Sequence, residues 1–217
     1  KKIKEILMFK LSQKKYIPLS KVEVQSYIDD KFSTRHIHLE SESNEKCFVV
    51  AFKTLPSDSS GVAHILEHTV LCGSKKYPVR DPFFMMTRRS LSTFMNAFTA
   101  SDFTAYPFST LNDKDFSNLL SVYLDATFFP NLNELDFMQE GHRFDFVKND
   151  KSKDQIVLKG IVYNEMKGAM SSISSQADQG LNENLFPNHT YGYNSGGDPE
   201  DIPKLSYQNL LKFHEKH

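Results

Sequence analysis

One short stretch constrains this chain more than any other: His64-Ile-Leu-Glu67-His68, inside the apolar run from Gly61 to Cys72. On an α-helix, residues four apart lie one turn apart on the same face, so the two imidazoles can reach one metal ion. Glu67 lies at the edge of that face. Two histidines and one further protein ligand make an open zinc site that keeps a water molecule, and a neighbouring carboxylate can take a proton from that water.

A polar helix face exposed to solvent is the plain alternative for so short a pattern. The residues between and around the polar trio are mostly large and apolar: Val62, Ile65, Leu66, Val70 and Leu71. Such a segment is typical of a protein core. Ionisable side chains in a core need partners, and a metal ion is the obvious one.

Length and composition exclude several classes of protein. The chain has 217 residues and a formal net charge of −1 at pH 7. No basic cluster indicates a nucleic-acid partner, and no apolar run approaches the roughly 18 residues of a membrane helix. Cys47 and Cys72 are too few for a disulfide framework, so we expect buried free thiols. Gly73 predicts a helix end, which disfavours Cys72 as a zinc ligand.

The pattern of apolar residues predicts an α+β fold, with a mixed, largely antiparallel sheet packed against helices. Strands are predicted at Lys21–Tyr27, Thr34–Ser41, Cys47–Thr54 (as a central strand), twice within Ser92–Ser109, and at Phe144–Val147 and Gln155–Leu158 around a turn at 148–154. Helices are predicted around the His64 motif, from Asp81, from Asn112 or Asp113 to before Pro130, and at Leu132–Glu140, Gly160–Ser172, Ser174–Leu185 and from Tyr207.

The same pattern divides the chain into an N-terminal arm, residues 1–20, and one domain, residues 21–217. The last predicted helix is still amphipathic where the sequence ends, so we expect the domain to continue. The first residues lack a small-residue cleavage site after an apolar stretch, and we interpret them as a shortened or processed end rather than a signal peptide.

The third zinc ligand has two candidates. Glu165 falls within an apolar helical stripe formed by Ile161, Val162, Met166 and Ala169. A carboxylate on a core face is costly unless it is paired or bound to a metal. Glu140, near a predicted helix end, is the alternative, either as a ligand or as an acid that orients a ligating histidine. A solvated helix end is the plainer interpretation of Glu140, since Glu is rarely buried.

Residues 61–84, GVAHILEHTVLCGSKKYPVRDPFF, resemble the pitrilysin/insulysin (M16) family of zinc peptidases, and within it the presequence protease-like subgroup. Further similar runs follow in the same order at 90–102, 125–130, 139–143, 160–169 and 195–199. The likeness spans about residues 20–217. It implies the first αβ unit of an M16 peptidase domain.

The resemblance also implies a role for each site residue. The family's distal ligand, the Glu of Asn-Glu-Met-Lys-Gly, corresponds to Glu165, so His64, His68 and Glu165 would bind one zinc ion per chain. Glu67 would be the catalytic base. The Glu of Gln-Glu-Gly corresponds to Glu140, as an acid that supports the site.

Substrate binding is expected at a sheet edge, where the family adds its peptide as a further strand. The corresponding place here is 95–99, with Asn96 and Ala97 along the edge, and the alternative for Asn96 is an ordinary turn residue. An apolar specificity pocket, or alternatively ordinary core packing, is expected for Leu71, Phe83 and Phe84.

The resemblance therefore implies a zinc-dependent endopeptidase that degrades unstructured peptides. It would be the N-terminal catalytic domain of a longer polypeptide, whose C-terminal half encloses the substrate and brings an Arg and a Tyr near the zinc. A non-catalytic subunit of this family is the alternative, but such relatives lack intact zinc residues. A structural zinc module would need a closed set of four ligands, usually cysteines. We expect a bacterial cytoplasmic location, with the mitochondrial or plastid matrix as the alternative.

Overall fold

The structure is a computed structural model that describes residues 9–147 and 155–217. The chain divides into two compact units, Lys1–Glu45 and Lys46–His217. The start of the predicted arm and the predicted turn at 148–154 lie outside the described residues. The predicted division at residue 20 stays a prediction.

The first unit contains a three-stranded antiparallel sheet in the order β1-β2-β3. Its strands are β1 (Phe9–Ile17), β2 (Val22–Asp29) and β3 (Arg35–Glu40). The turn after β2 is closed by the Asp29 carboxylate, which accepts backbone N–H bonds from Lys31 at 3.2 Å and Phe32 at 2.9 Å. Two of the three strands were predicted. β1 lies within the predicted arm and has no clear apolar alternation.

The second unit contains a sheet in which β7 pairs with β4 on one side and with β5 and β6 on the other, always antiparallel. These strands are β4 (Lys46–Phe52), β5 (Ser92–Met95), β6 (Phe98–Thr99) and β7 (Thr104–Thr110). The prediction that Cys47–Thr54 is a central strand is wrong for the described sheet, because β7 takes the central place. Cys47 is exposed rather than buried, whereas Cys72 is buried as predicted.

Seven helices and a hairpin complete the described part of this unit. The helices are α1 (Val62–Val70), α2 (Pro82–Arg89), α3 (Asp113–Phe128), α4 (Glu134–Glu140), α5 (Ile161–Ala169), α6 (Ile173–Leu185) and α7 (Tyr207–Lys216). The hairpin consists of β8 (Arg143–Val147) and β9 (Gln155–Lys159), and a 3₁₀ turn spans Ile202–Lys204. The predicted helices and the α+β class are confirmed. None of the described helices is long and apolar enough to cross a membrane.

Helix α1 lies in the centre of the core, in contact with β6, β7, α4 and α7. Its Ile65 is fully buried, as are Leu119 of α3, Val162 of α5 and Leu210 of α7. Burying a large aliphatic side chain contributes about 1.5–3 kcal/mol relative to exposure. The apolar positions of α1 therefore fix its rotation, and that rotation decides where His64 and His68 point.

Candidate active site

Helices α1 and α5 bring His64, His68 and Glu165 together. The Oε2 atom of Glu165 lies 3.7 Å from His64 Nε2 and 3.9 Å from His68 Nε2. One ligand atom from each residue lies within 4.8 Å of the other two. Ligand atoms around a tetrahedral zinc ion lie about 3.4 Å apart, so the two distances to Glu165 would need to shorten by about 0.3–0.5 Å. The three residues therefore fit a zinc ion.

The second ring nitrogen of each histidine already has an acceptor. His64 Nδ1 lies 2.9 Å from the carbonyl oxygen of Gly196, and His68 Nδ1 lies 3.1 Å from Oε2 of Glu140. An acceptor beside Nδ1 keeps the proton on that nitrogen, which leaves the Nε2 lone pair free to bind a metal. The protein thus selects the metal-binding tautomer of both rings, with both Nε2 atoms near Glu165.

Glu165 does not lie on a core face of α5, so the burial prediction for it is wrong. Its side chain is 54% exposed, so it does not lie within a buried stripe. Val162 and Met166 are the buried positions of α5, and Ala169 on the same predicted stripe is exposed. Packing of Val162 and Met166 against the core holds α5 in place, and Glu165, one residue before Met166, lies beside that contact and faces α1.

Two glycines allow the loop after α6 to reach α1. A Cβ atom on Gly61, whose φ is +68°, would lie 2.8 Å from the carbonyl oxygen of Gly196. A Cβ atom on Gly196 would lie 2.7 Å from the sulfur of Met166. The flexible Met166 side chain can move aside but the backbone at Gly61 cannot, so the missing side chain of Gly61 is what lets the Gly196 carbonyl reach His64. The resemblance at 195–199 was the only signal in the sequence for this residue.

Glu67 is buried beside the two histidines, with 6% of its surface exposed. Its Oε2 accepts a hydrogen bond of 2.7 Å from the hydroxyl of Thr99. Burial raises the pKa of the Glu67 carboxyl above its ordinary value, and the hydrogen bond from Thr99 opposes part of that rise. A carboxylate with a raised pKa near a metal-binding cluster is suited to take a proton from water near neutral pH.

Glu140, the last residue of α4, lies behind His68 rather than beside Glu165. Its side chain is 7% exposed, and its second carboxylate oxygen accepts a hydrogen bond of 3.2 Å from Gln139 Nε2. Burial alone would lower the pKa of His68, but the hydrogen bond with Glu140 and the nearby carboxylates raise that pKa above its ordinary value. This geometry fits the second of the two roles considered for Glu140, an acid that orients His68, and its burial does not fit a solvated helix end.

A cavity of about 490 Å³ opens over these residues. Its walls include every residue predicted for the site: His64, Glu67, His68, Leu71, Phe83, Phe84, Asn96, Ala97, Glu140 and Glu165. They also include five that were not predicted as site residues: Cys72, Asp81, Phe98, Thr99 and Gly196. Phe83 is largely buried against Tyr123, whereas Phe84 is 61% exposed. Phe83 therefore packs in the core as well as lining the cavity, whereas Phe84 lines the cavity from an exposed position.

One wall of the cavity is the stretch from β5 to β6. The Asn96 N–H donates a hydrogen bond of 3.1 Å to the Pro107 carbonyl, which keeps this stretch paired with β7 between the two strands. The Ala97 N–H lies 2.9 Å from the side-chain oxygen of Asn96. Among the described strands, β5 and β6 pair with β7 alone, so no described strand pairs with their opposite edge. An edge of this kind can accept an extended peptide.

A cluster of metal-binding side chains, a buried carboxylate and a sheet edge that no described strand covers, all in one cavity, are typical of a metallopeptidase site. The chain belongs to peptidase family M16: the profile described as "Insulinase (Peptidase family M16)" matches residues 55–174.

Within this family, the chain is similar to proteins named presequence protease. The chain is 56% identical over 188 residues to "Presequence protease, mitochondrial" of Xenopus tropicalis and to the protein of that name of Mus musculus. It is 55% identical over 181 residues to the protein of that name of Schizosaccharomyces pombe. These matches cover 87% of this chain for the first two relatives and 83% for the third, but 18% of each relative. This chain thus spans about a fifth of their length.

The fold has a counterpart among solved structures. The crystal structure of pitrilysin superposes with a TM-score of 0.70 over 96% of this chain and 21% of that chain. The two sequences are 20% identical in that alignment, so this similarity shows the fold alone.

Proposed function

We propose that this chain is the metal-binding part of a zinc-dependent endopeptidase that degrades unstructured peptides. The observation that carries the proposal is the convergence of His64 Nε2, His68 Nε2 and Glu165 Oε2 while both Nδ1 atoms are held by acceptors. Membership of a peptidase family and the names of the relatives support this function. The intact zinc residues disfavour the alternative of a non-catalytic M16-like subunit.

The two histidines of α1 and Glu67 have different roles in this proposal. A zinc ion held by His64, His68 and Glu165, one per chain, would supply positive charge that acidifies water and polarises the peptide carbonyl. Glu67 accepts a proton from water as the water oxygen adds to the carbonyl carbon. Glu67 then gives that proton to the leaving amine nitrogen as the C–N bond breaks. The raised pKa of Glu67 suits both transfers.

Substrate would bind as an added strand along Asn96 and Ala97. Main-chain pairing needs an extended peptide and reads little of its sequence, so folded proteins would be poor substrates. Leu71, Phe83 and Phe84 would form the apolar side of the cavity and accept a large apolar side chain.

The whole enzyme would be much longer than this chain, because this chain spans about a fifth of its named relatives. The C-terminal half of the same polypeptide is the proposed partner that encloses the peptide. The mitochondrial matrix is the proposed location, since these relatives are named mitochondrial. The expectation of a bacterial cytoplasm has no support from them.

The test uses the full-length polypeptide that contains this chain. Glu67→Gln should keep about one zinc ion per chain and retain peptide binding, but lose nearly all hydrolysis, because proton transfer and not coordination is removed. Glu165→Ala should lose the zinc. Glu134→Gln, an exposed change on α4, is the control. Normal hydrolysis by Glu67→Gln, or full zinc content in Glu165→Ala, would contradict these assignments.

A further inference from the structure

Three threonine hydroxyls form a continuous chain that ends on Glu67. Thr54 Oγ1 lies 2.8 Å from Thr104 Oγ1, and Thr104 Oγ1 lies 3.3 Å from Thr99 Oγ1. The Thr99 hydroxyl then donates to Glu67 Oε2 at 2.7 Å. No other hydrogen bond to the Glu67 carboxylate occurs within residues 9–147 and 155–217.

The direction of this hydroxyl chain follows from its last member. An ionised carboxylate only accepts hydrogen bonds, and each hydroxyl has a single proton to donate. Because Thr99 gives its proton to Glu67, it accepts from Thr104. Thr104 has then used its own proton and accepts from Thr54. All three protons point toward the carboxylate, and hydrogen bonds aligned in this way strengthen one another.

The sheet holds the three threonines in place. Thr104 begins β7 and pairs with Phe52 of β4 on one side and with Thr99 of β6 on the other. Thr54, just after β4, is fixed by its backbone N–H, which donates to the Asp102 carbonyl at 3.1 Å. Thr54 and Thr104 are 4% and 2% exposed, so water does not compete for their hydroxyls. The paired strands therefore hold the three hydroxyls in line between the sheet and α1.

We propose that Thr99 is a positioning residue for Glu67, and that Thr104 and Thr54 keep the Thr99 proton directed at the carboxylate. This inference rests on the proposed function, since it assumes that Glu67 is the base. By holding Oε2, Thr99 restricts the rotation of the carboxylate and leaves Oε1 available for the attacking water. Thr99 also lies on the strand that forms the proposed peptide-binding edge, so the base and the substrate are held by the same element.

The experiment compares variants of the full-length, zinc-loaded polypeptide on a fluorogenic peptide. Thr99→Val keeps the shape of the side chain and removes the hydroxyl; we expect kcat to fall about 10- to 100-fold while KM and zinc content stay unchanged. Thr99→Ser restores the hydroxyl and should restore kcat. Thr104→Val should lower kcat less than Thr99→Val does, because the Thr99 hydroxyl remains but is no longer directed.

The matched control is Thr110→Val at the opposite end of β7. Thr110 is fully buried, and its hydroxyl donates to the Leu91 carbonyl at 3.2 Å, away from Glu67. Its substitution should lower Tm but leave kcat unchanged. A kcat for Thr99→Val equal to that of the wild type, or a loss that Thr99→Ser does not restore, overturns the proposal. If Thr99→Val does not fold, Thr104→Val decides, and an unchanged kcat there overturns the proposal.

Glu67→Gln separates this inference from the proposed function. If Glu67→Gln is inactive and Thr99→Val is fully active, Glu67 remains the base and only the role of Thr99 is wrong. If Glu67→Gln hydrolyses peptide normally, the assignment of Glu67 fails, and the role of Thr99 fails with it.

Discussion

Removing Glu140 should weaken zinc binding without removing a ligand. Acceptors that orient a ligating histidine are worth about 10- to 100-fold in metal affinity, or about 1.4–2.8 kcal/mol at about 1.4 kcal/mol per tenfold. The Glu140 side chain is 7% exposed and lies 3.1 Å from His68 Nδ1, so solvent screens this contact little. We therefore expect the upper part of that range for Glu140→Ala. Glu140→Gln keeps an acceptor without the charge, and a charged hydrogen bond is about twice as strong as a neutral one, so it should lose about half as much free energy.

Zinc affinity is measured by competition with a chromophoric chelator at a fixed pH near neutrality. Glu134→Gln is the control, because it removes the same charge from an exposed position of the same helix. Unchanged affinity in Glu140→Ala would refute the reasoning. Complete loss of zinc in Glu140→Ala together with normal zinc in Glu165→Ala would mean that Glu140 is the third ligand, the alternative that the sequence left open.

Three further predictions concern other parts of the site. Burial lowers the pKa of His68, but the hydrogen bond with Glu140 and the nearby carboxylates raise it by more, so that pKa lies above its ordinary value. Protons therefore compete with zinc for His68 at a higher pH than they would at an ordinary histidine. Zinc affinity should therefore fall as the pH is lowered through that range in the same titration, and a flat profile would contradict this. Gly61→Ala should force its Cβ against the backbone of Gly196 and Gly197 at a φ of +68° and so shift the Gly196 carbonyl from His64, which lowers Tm by the equivalent of about 1–3 kcal/mol and also weakens zinc binding. Unchanged zinc affinity there would show that this carbonyl is not needed. Residues 1–217 alone, loaded with zinc, should hydrolyse a fluorogenic peptide at least about 10²–10³-fold more slowly than the full-length polypeptide. The family resemblance implies an Arg and a Tyr of the C-terminal half near the zinc, and each such oxyanion donor is worth about that factor. A rate equal to that of the full-length polypeptide, sensitive to chelator, would refute this.

The sequence predicts local elements well where a period of apolar residues repeats. Helix α1 and its polar face follow from spacing alone, because residues four apart on a helix must share a face. The ends of strands and the order of strands do not follow in the same way. The segment that forms β4 is apolar enough for a central strand. Strand order, however, depends on the topology of the chain, and in the structure β7 is the strand with partners on both sides.

The supporting contacts of the site could not be predicted from spacing, because they join segments far apart in the chain. Gly196 contributes a backbone carbonyl, which carries no signal in a side-chain pattern. Thr99 is one of many threonines, and only the pairing of β6 with β7 shows that it faces Glu67. Glu165 illustrates the reverse case, in which the resemblance selects the residue but the burial argument for it fails.

Helix α1 supplies three chemical groups within five residues, but a single helix cannot aim them. Each group is held from a different segment: His64 by the loop after α6, His68 by the end of α4, and Glu67 by β6. These supports are distant in sequence, so they form only when the second unit is packed. A rotamer change in any of the three side chains would break a specific hydrogen bond at a buried or half-buried position, which costs about 1–3 kcal/mol. The geometry for metal binding is therefore largely set by the fold before an ion arrives, and substitutions in these supports should alter zinc affinity or turnover even though none of them removes a ligand.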